Sequence, residues 1–411
     1  MDYGNGTNDN IELTLVNADF THAGGGANQG SLEQYLNDLI AGPGLPGIFN
    51  DLLLELNNGN TDALNNYIPD NIAAQSEQTF FNQQSLISNV LANLQNFTDQ
   101  TNGESTFALN PSGNAGMQLV SLQRALAAQP YQLNANGDSH ANQSNGVWAS
   151  YNGGRSRLDA DHGIGSSAWS ASTNGYTVGY TSSAGNFRWG VAAGHQQSDL
   201  TFADINASGK QEGYNAGLYG SWQRKSTFLN AVLGYGNYNN ETHQLLGENK
   251  FDTKSYSGTL QLGKHFGTRQ NQLTPYFSID WTHIKNDGFN GGAGGLSVQS
   301  GSNNVFTSTL GVRYNHRIYN KDGSLKGGFD AGLGWLHQSG DTNFAVNAGY
   351  SASFPGTFQA QTTPLDGNLL QVQLGAYGRI HNSLIGYMGY QGSFGSSQKR
   401  NAVNVGLGYQ F

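Results

Sequence analysis

One pattern repeats through the last two thirds of the chain: apolar and polar residues alternate, segment after segment. In LTPYFSIDWT (273–282), for example, Leu, Pro, Phe, Ile and Trp share one face, and Thr, Tyr, Ser and Asp share the other. A period of two predicts strands that have one apolar and one polar face. We count about twelve such segments. They centre on Trp148, Val178, Val191, Leu218, Leu233, Leu260, Ile279, Leu310, Leu333, Leu374, Tyr387 and Val405.

The connections between these segments alternate in length. Long outer loops and short periplasmic turns are typical of up-and-down outer-membrane barrels. An open sheet would leave unpaired edges in lipid, so we expect the first strand to pair with the last, and this explains why the chain ends inside a strand pattern. The expected long connections are 157–169, 199–210, 239–251, 287–303 and 339–367, and the short ones are 182–186, 224–226, 267–271 and 381–382.

Composition favours a membrane barrel over a soluble β-sandwich, which would also alternate. Only 11% of the residues are charged, and the polar faces carry Gly, Gln, Ser and Asn. No apolar run is long enough for a transmembrane helix. A net charge of −9 argues against nucleic acid as a partner. Aromatic residues lie near predicted strand ends, where interface girdles are expected: Tyr151, Tyr180, Trp189, Tyr235, Trp281, Trp335, Tyr377, Tyr409 and Phe411.

Residues 1–145 have a different pattern. Alternation in NIELTLVNADF (10–20) predicts one strand, and helical spacing follows, with Ser31 as the expected N-cap of a helix over 31–40. We expect short helices or turns at 48–56 and 61–68, a longer helix within 73–97, another helix near 115–128, and a polar linker over 129–145.

A barrel of twelve strands is too wide for its own side chains to fill, so we expect a plug. Our hypothesis is that the helix near 115–128, or the linker behind it, occupies the lumen, and that Arg124 meets an inward carboxylate. The alternative is a helix that packs outside, in the periplasm. The predicted lumen-facing residues are Arg124, Asp280, Arg313, Asp330 and Arg379.

From about residue 18 to the C-terminus the sequence resembles the C-terminal part of autotransporter (type V secretion) precursors. NADFTHAGGGANQGSLEQYLNDL (17–39) resembles the family's entry into its pre-barrel helices, and GVWASYNGG (146–154) resembles the first barrel strand. The segment 172–195 resembles strands two and three, 273–289 resembles the middle strand and its Gly-rich loop, and GLGYQF (406–411) resembles the closing strand.

The resemblance implies an all-β transmembrane fold, a twelve-stranded antiparallel outer-membrane barrel preceded by an α-helical linker, which exports an N-terminal passenger to the cell surface. We expect a remnant or the C-terminal end of the passenger in 1–30, the helical linker and pore-plugging helix in 31–145, and the barrel in 146–411. The implied partners are outer-membrane lipid and lipopolysaccharide, the barrel assembly machinery and periplasmic chaperones. The barrel itself is expected to be a monomer. Val405, Leu407, Tyr409 and Phe411 would form the assembly signal. The start carries no export signal, so we expect that the chain is cytoplasmic, or that it is part of a longer precursor, or that its start is misassigned.

No motif predicts catalysis. GDSH (137–140) resembles a surface-lipase block, but His140 stands where that motif has Leu. The His residues show no metal-binding spacing. We therefore expect no enzyme activity, no metal and no cofactor. The alternative function is a stand-alone porin-like channel or adhesin whose loops, above all 339–367, bind ligands.

Overall fold

A computed structural model describes Phe20 and residues 25–95 and 146–409, apart from residues 185, 246, 269, 292–294, 322–324, 351–355 and 382–383. Within these ranges, no helix has both the length and the apolar character that crossing a membrane requires. The predicted strand near residues 11–15, the predicted helix near 115–128 and the GDSH segment lie outside the described residues.

Twelve long strands form a closed antiparallel barrel, as predicted. Each strand pairs with its neighbour in the chain, and the first, β1 (Gly146–Leu158), pairs with the last, β17 (Gln398–Tyr409), from Tyr151 opposite Val405 to Leu158 opposite Gln398. An additional two-residue strand, β7 (Phe266–Gly267), pairs with the start of β8 (Asn271–Asn286). The twelve are β1 Gly146–Leu158, β2 Trp169–Ala184, β3 Phe187–Phe202, β4 Ser208–Arg224, β5 Thr227–Gln244, β6 Gly247–Lys264, β8 Asn271–Asn286, β11 Gly301–Tyr319, β12 Leu325–Gly340, β15 Asn368–His381, β16 Leu384–Phe394 and β17 Gln398–Tyr409.

The two faces of the sheet follow the sequence pattern. On β6, Leu260 and Leu262 are exposed on the outside, whereas Thr259 and Gln261 are buried inside. Tyr377 is an exception to the predicted girdle: it shares the inward face of β15 with the buried Gln371 and Gln373. The exposed girdle residues include Tyr151, Tyr180, Trp189, Tyr235, Trp281 and Trp335.

Two connections that we predicted as long loops are mostly strand. Residues 239–251 form a hairpin in which β5 ends at Gln244 and β6 begins at Gly247, and the stretch 199–210 leaves only residues 203–207 between β3 and β4. Polar, charged residues in these stretches resemble loop composition, but the pairing of each strand with its neighbours continues through them.

The barrel therefore has two unlike ends. One end, the short-turn end, holds the β2–β3, β4–β5 and β15–β16 turns, the start of β1 and the end of β17. The opposite end, the long-loop end, holds the connections 159–168, 203–207, 287–300 and 341–367.

A second sheet of four short strands lies in the connections of the long-loop end. Its strand order is β14 (Phe358–Gln361), β13 (Ala345–Tyr350), β10 (Leu296–Val298) and β9 (Phe289–Asn290). It joins strands from two loops that are distant in sequence, so no local pattern predicted it. We call it the loop sheet.

Five helical segments precede the barrel within the described residues: α1 (Ala27–Ala41), a 3-10 helix (Gly47–Phe49), α2 (Asn50–Asn57), a second 3-10 helix (Thr61–Tyr67) and α3 (Asp70–Gln95). The prediction of Ser31 as an N-cap was wrong. The N-cap is Gly26, because the amides of Ala27 and Asn28 donate to the carbonyls of Gly163 and Ile164 and so start the helix earlier.

Candidate functional site

The helix α3 runs inside the barrel. It begins at the long-loop end, where Asp70 Oδ2 accepts the amide N–H of Ser167 at 2.7 Å. Sixteen residues further along, Leu86 lies beside Gly217 in the middle of β4. The side chains described along α3 as far as Leu91 are buried. The part of the lumen nearest the long-loop end is thus filled by a helix of the same chain.

Polar side chains join this helix to the wall. Gln83 Nε2 donates to Ser257 Oγ at 2.7 Å, and Gln83 Oε1 accepts from Ser255 Oγ at 3.0 Å. On another side of the helix, Asn82 Nδ2 donates to Gln211 Oε1 at 2.7 Å. Buried polar groups are costly unless they are paired. The inward Ser, Thr, Asn and Gln residues of the strands therefore provide a matching surface for a polar helix.

Wall glycines let the helix approach closely. A Cβ atom on Gly234 would lie 2.3 Å from Gln83 Nε2, and a Cβ atom on Gly209 would lie 2.5 Å from Gln75 Nε2. Both distances are shorter than van der Waals contact allows. At these two positions the lumen has room for α3 because the wall residue has no side chain.

Two buried residues of opposite charge type lie where α3 meets the closing strand. Glu77 and Arg400 are both buried, and a coulombic attraction acts between them. The guanidinium of Arg400 lies 3.7 Å from the centre of the Phe81 ring, and its Nη2 donates to the Phe81 carbonyl at 3.3 Å. Arg400 therefore contacts α3 directly through Phe81.

The predicted lumen residues that the structure describes lie on the inward face. Asp280, Arg313 and Asp330 are buried, and Asp280 Oδ1 accepts from Thr259 Oγ1 at 2.7 Å. Arg124 and the side chain of Arg379 lie outside the described residues, so the meeting of Arg124 with a wall carboxylate stays a prediction. The helix that the structure shows in the lumen is α3, which the sequence suggested as a longer helix but not as the plug.

Residues 27–68 cover the long-loop end. Together with the loop sheet they form a domain that we call the cap, and its core is apolar and aromatic. Tyr35 of α1 packs on Phe358 with ring centres 5.3 Å apart, and Phe49 meets Tyr350 edge to face at 5.0 Å. Burial of aromatic surface stabilises such a contact strongly. The helices and the loop sheet therefore share one core and depend on each other for burial.

The start of α1 closes the free edge of the loop sheet. Asn28 Nδ2 donates to the carbonyl of Gln361 at 2.8 Å, and the Gln361 N–H donates to Asn28 Oδ1 at 2.9 Å. Ser31 Oγ accepts the N–H of Gln359 at 2.9 Å. An unpaired strand edge invites pairing with another chain. Polar side chains of α1 satisfy this edge instead.

Asn28 and Gln29 were recognised in the sequence only as part of an entry motif. The neighbouring Gln29 Nε2 donates to Asn65 Oδ1 at 2.6 Å and so connects α1 to the second 3-10 helix. Their roles depend on residues up to 333 positions away. No local pattern could have shown them.

Burial at the long-loop end raises the pKa of several groups. Desolvation raises the pKa of the Asp70 carboxyl to about 6, against the opposing hydrogen bond from Ser167. Burial also raises the pKa of Tyr35 and of Tyr67. Asp70 is therefore a carboxyl group at the long-loop end of the lumen whose charge changes near neutral pH.

A model of the autotransporter beta-domain matches residues 147–391, which is more than half of the chain. The chain belongs to the autotransporter β-domain family. Its barrel is the translocator unit of an autotransporter, and its place is the outer membrane, where the exposed apolar band of the strands meets lipid.

One curated relative is an extracellular serine protease of Serratia marcescens, which is 24% identical over 291 residues. That alignment covers 65% of this chain and 26% of the relative, so the chain corresponds to about a quarter of that protein.

Solved autotransporter structures share the fold at low sequence identity. The transport unit of AIDA-I from Escherichia coli has a TM-score of 0.51 at 17% identity, covering 70% of this chain and 98% of that one. The β-domain of BrkA from Bordetella gives 0.52 at 18%, covering 65% and 100%. The translocator domain of NalP from Neisseria meningitidis gives 0.51 at 18%, covering 70% and 94%.

The predicted assembly signal lies at the end of the autotransporter barrel. Val405 is exposed on the outer face of β17, opposite Tyr151 of β1. The backbone of Leu407 and Tyr409 continues the strand, and Phe411 lies outside the described residues. The role of these four residues stays a prediction.

A charged cluster at the β5–β6 tip was not predicted. Glu241, His243 and Glu248 come together because the hairpin register places residues of β5 and β6 side by side. Lys250 Nζ lies 2.8 Å from Glu248 Oε1 and 3.5 Å from Glu241 Oε2. These carboxylates thus have a cation of the chain as their partner, and the cluster is an exposed ion-pair network.

Proposed function

We propose that the structure represents the autotransporter after export of the chain's N-terminal part. The observation that carries this proposal is the direction of α3. Its first residue, Asp70, lies at the long-loop end, and the cap precedes it in the sequence. In outer-membrane barrels the long loops face the outside of the cell. The chain before Asp70 is therefore on the exterior, and it reached that side through the barrel.

In this proposal the cap and α3 have a second role, which is to close the pore once transport ends. The polar bonds of α3 hold it in the lumen, and the shared core of residues 27–68 and the loop sheet covers the mouth. A folded cap cannot return through a lumen that is only wide enough for one helix. A filled lumen argues against the alternative of an open porin-like channel.

We further propose the finer partners. Val405, Leu407, Tyr409 and Phe411 would be read by the barrel assembly machinery, after periplasmic chaperones have delivered the chain, and the barrel would act as a monomer. We also propose that the chain itself is not an enzyme and that a passenger before the cap carries the biological activity. Accordingly, the purified chain is expected to leave peptide and ester substrates unchanged.

Surface labelling tests the topology. An epitope placed in the exposed turn at residues 58–60 of the cap is expected to bind antibody on intact cells that make the whole precursor. An epitope in the turn at residues 225–226, at the short-turn end, is the matched control and is expected to bind only after the outer membrane is opened. Reversed labelling, or a cap epitope that stays hidden, would refute export of this segment.

A further inference from the structure

A group of cations lies on the outer wall of the barrel where β1 meets β17. Arg155 and Arg157 project outward from β1, and Lys399 projects outward from β17. Arg157 lies directly opposite Lys399 in the register, and Arg155 lies opposite Asn401. All three therefore lie within one cross-strand neighbourhood.

Like charges that face each other across two strands repel. Arg157 has a partner, since its Nε lies 2.8 Å from Asp159 Oδ1. In the described part of the chain no carboxylate pairs with Arg155 or Lys399. Asp366, near the start of β17, already accepts the N–H groups of Ser397 and Gln398.

Other described lysines near the long-loop end are mostly neutralised by the chain itself. Lys210 pairs with Glu212, Lys250 pairs with Glu241 and Glu248, and Lys254 pairs with Asp287. The strands β1 and β17 are different because they keep two cations without carboxylates at one place. For a chain with a net charge of −9, this is a local excess of positive charge.

The height of the group on the barrel matches the lipid headgroups. Exposed apolar side chains, among them Tyr151 and Val403, mark the lipid-facing band beside it. Arg155 is four residues beyond Tyr151, or ~13 Å along the strand, in the direction of the long-loop end. Headgroup phosphates lie just outside the hydrocarbon region. Polar side chains surround the cations, because Ser172 lies opposite Arg155 and Ser170 opposite Arg157 on β2.

We propose that Arg155, Arg157 and Lys399 bind a phosphate group of lipopolysaccharide, the anionic glycolipid of the outer leaflet. The three cations would bind the phosphate, and the hydroxyls of Ser170 and Ser172 would face the sugar of the glycolipid. The site uses the strand pair that closes the barrel, so a bound glycolipid would bridge β1 and β17 from outside. The proposal rests on the outward orientation of the long-loop end. Its test in detergent solution does not depend on export.

The test measures retention of diphosphoryl lipid A by the purified full chain, using native mass spectrometry. The double variant Arg155→Gln, Lys399→Gln is expected to bind it about tenfold more weakly than the wild type. The matched control, Lys210→Gln with Lys250→Gln, removes two cations that have carboxylate partners and is expected to bind like the wild type. If the double variant does not fold, Lys399→Gln alone is measured, with a smaller loss expected.

Three results would overturn the proposal. The first is equal retention of lipid A by the wild type and the double variant. The second is an equal loss in the control variant, which would indicate a general effect of net charge. The third is displacement of lipid A by phosphatidylglycerol or inorganic phosphate at equal concentration, since a site that fits the glycolipid is expected to prefer it.

Discussion

Asn28 and Gln361, 333 residues apart, pair as two strand residues would. The side-chain amide of Asn28 donates to the Gln361 carbonyl and accepts its N–H, at 2.8 and 2.9 Å. A helix that precedes the barrel in the chain thereby ends a sheet that belongs to the barrel loops. This contact connects two parts of the molecule that lie far apart in the sequence.

Replacing Asn28 with Asp is expected to loosen the cap. The carboxylate keeps an acceptor for the Gln361 N–H but loses the donor, and it places negative charge beside the carbonyls of Gln361 and Gly165. We expect the free energy of cap opening to fall by about 1–3 kcal/mol. Hydrogen exchange of the Gln361 amide measures it. Asn58→Asp, at an exposed position of the same cap, is the control, and equal exchange in both variants would contradict the role of Asn28.

Replacing Gly234 with Leu is expected to push α3 off the wall. The new Cβ would lie 2.3 Å from Gln83 Nε2 and 2.4 Å from Ser257 Oγ, so the ends of these two side chains must move to make room, which disturbs the hydrogen bond between them. Overpacking costs about 1–3 kcal/mol. The conductance of the purified protein in planar bilayers is expected to rise. At Gly258 a Cβ meets nothing closer than 3.8 Å, so Gly258→Leu should conduct like the wild type. Unchanged conductance at Gly234 would argue against α3 as the seal.

Replacing Arg400 with Met is expected to weaken the attachment of α3 to the wall, because the guanidinium contacts with the Phe81 ring and carbonyl and the attraction to Glu77 are lost. The cost for such a change is about 1–3 kcal/mol. The double variant with Glu77→Gln is expected to lose less stability than the sum of the two single variants, because each single change removes the same attraction. The temperature at which the folded band disappears on unboiled gels reports the stability. Lys285→Met, on the exposed outer face, is the control, and additive losses in the double variant would disprove the coupling.

The stability of the cap is expected to fall as the pH rises from about 4 to 6. Asp70 has a folded-state pKa of about 6, above the ordinary aspartate pKa of 3.8, so in this window the folded state holds a proton that the unfolded state has lost. By linkage the loss is about 3 kcal/mol at most. Asp70→Asn should remove this dependence, as measured by proteolysis of the cap across pH. A cap that becomes more stable as the pH rises would contradict the shift.

Much of the barrel was predictable because its determinants are local. Alternation in segments such as 273–282 fixed which residues face lipid, and the closing pair of β1 and β17 followed from the cost of an open edge. The errors have physical causes. Residues 239–251 have loop-like composition, yet cross-strand pairing carries both strands through them. Tyr377 has the composition of a girdle residue, but its register position places it inside.

The candidate site was predictable only in outline. The need for a plug followed from the width of the barrel, and Asp280, Arg313 and Asp330 were recognised as inward residues from strand parity. Which helix fills the lumen did not follow from the sequence. Helical spacing shows that α3 is a helix, but Gln75, Asn82 and Gln83 find partners on a wall that is built from distant strands.

The sequence by itself determined a closed barrel with an apolar outer face, a polar inner face and helices before it, because the spacing of apolar residues reflects the local conformation of a few neighbouring residues. Only the tertiary structure decided that α3 fills the lumen with its first residue at the long-loop end, and that Asn28 and the loop sheet cover that end. Those contacts join residues from 97 to 333 positions apart, and their energy depends on burial that exists only after the barrel has formed.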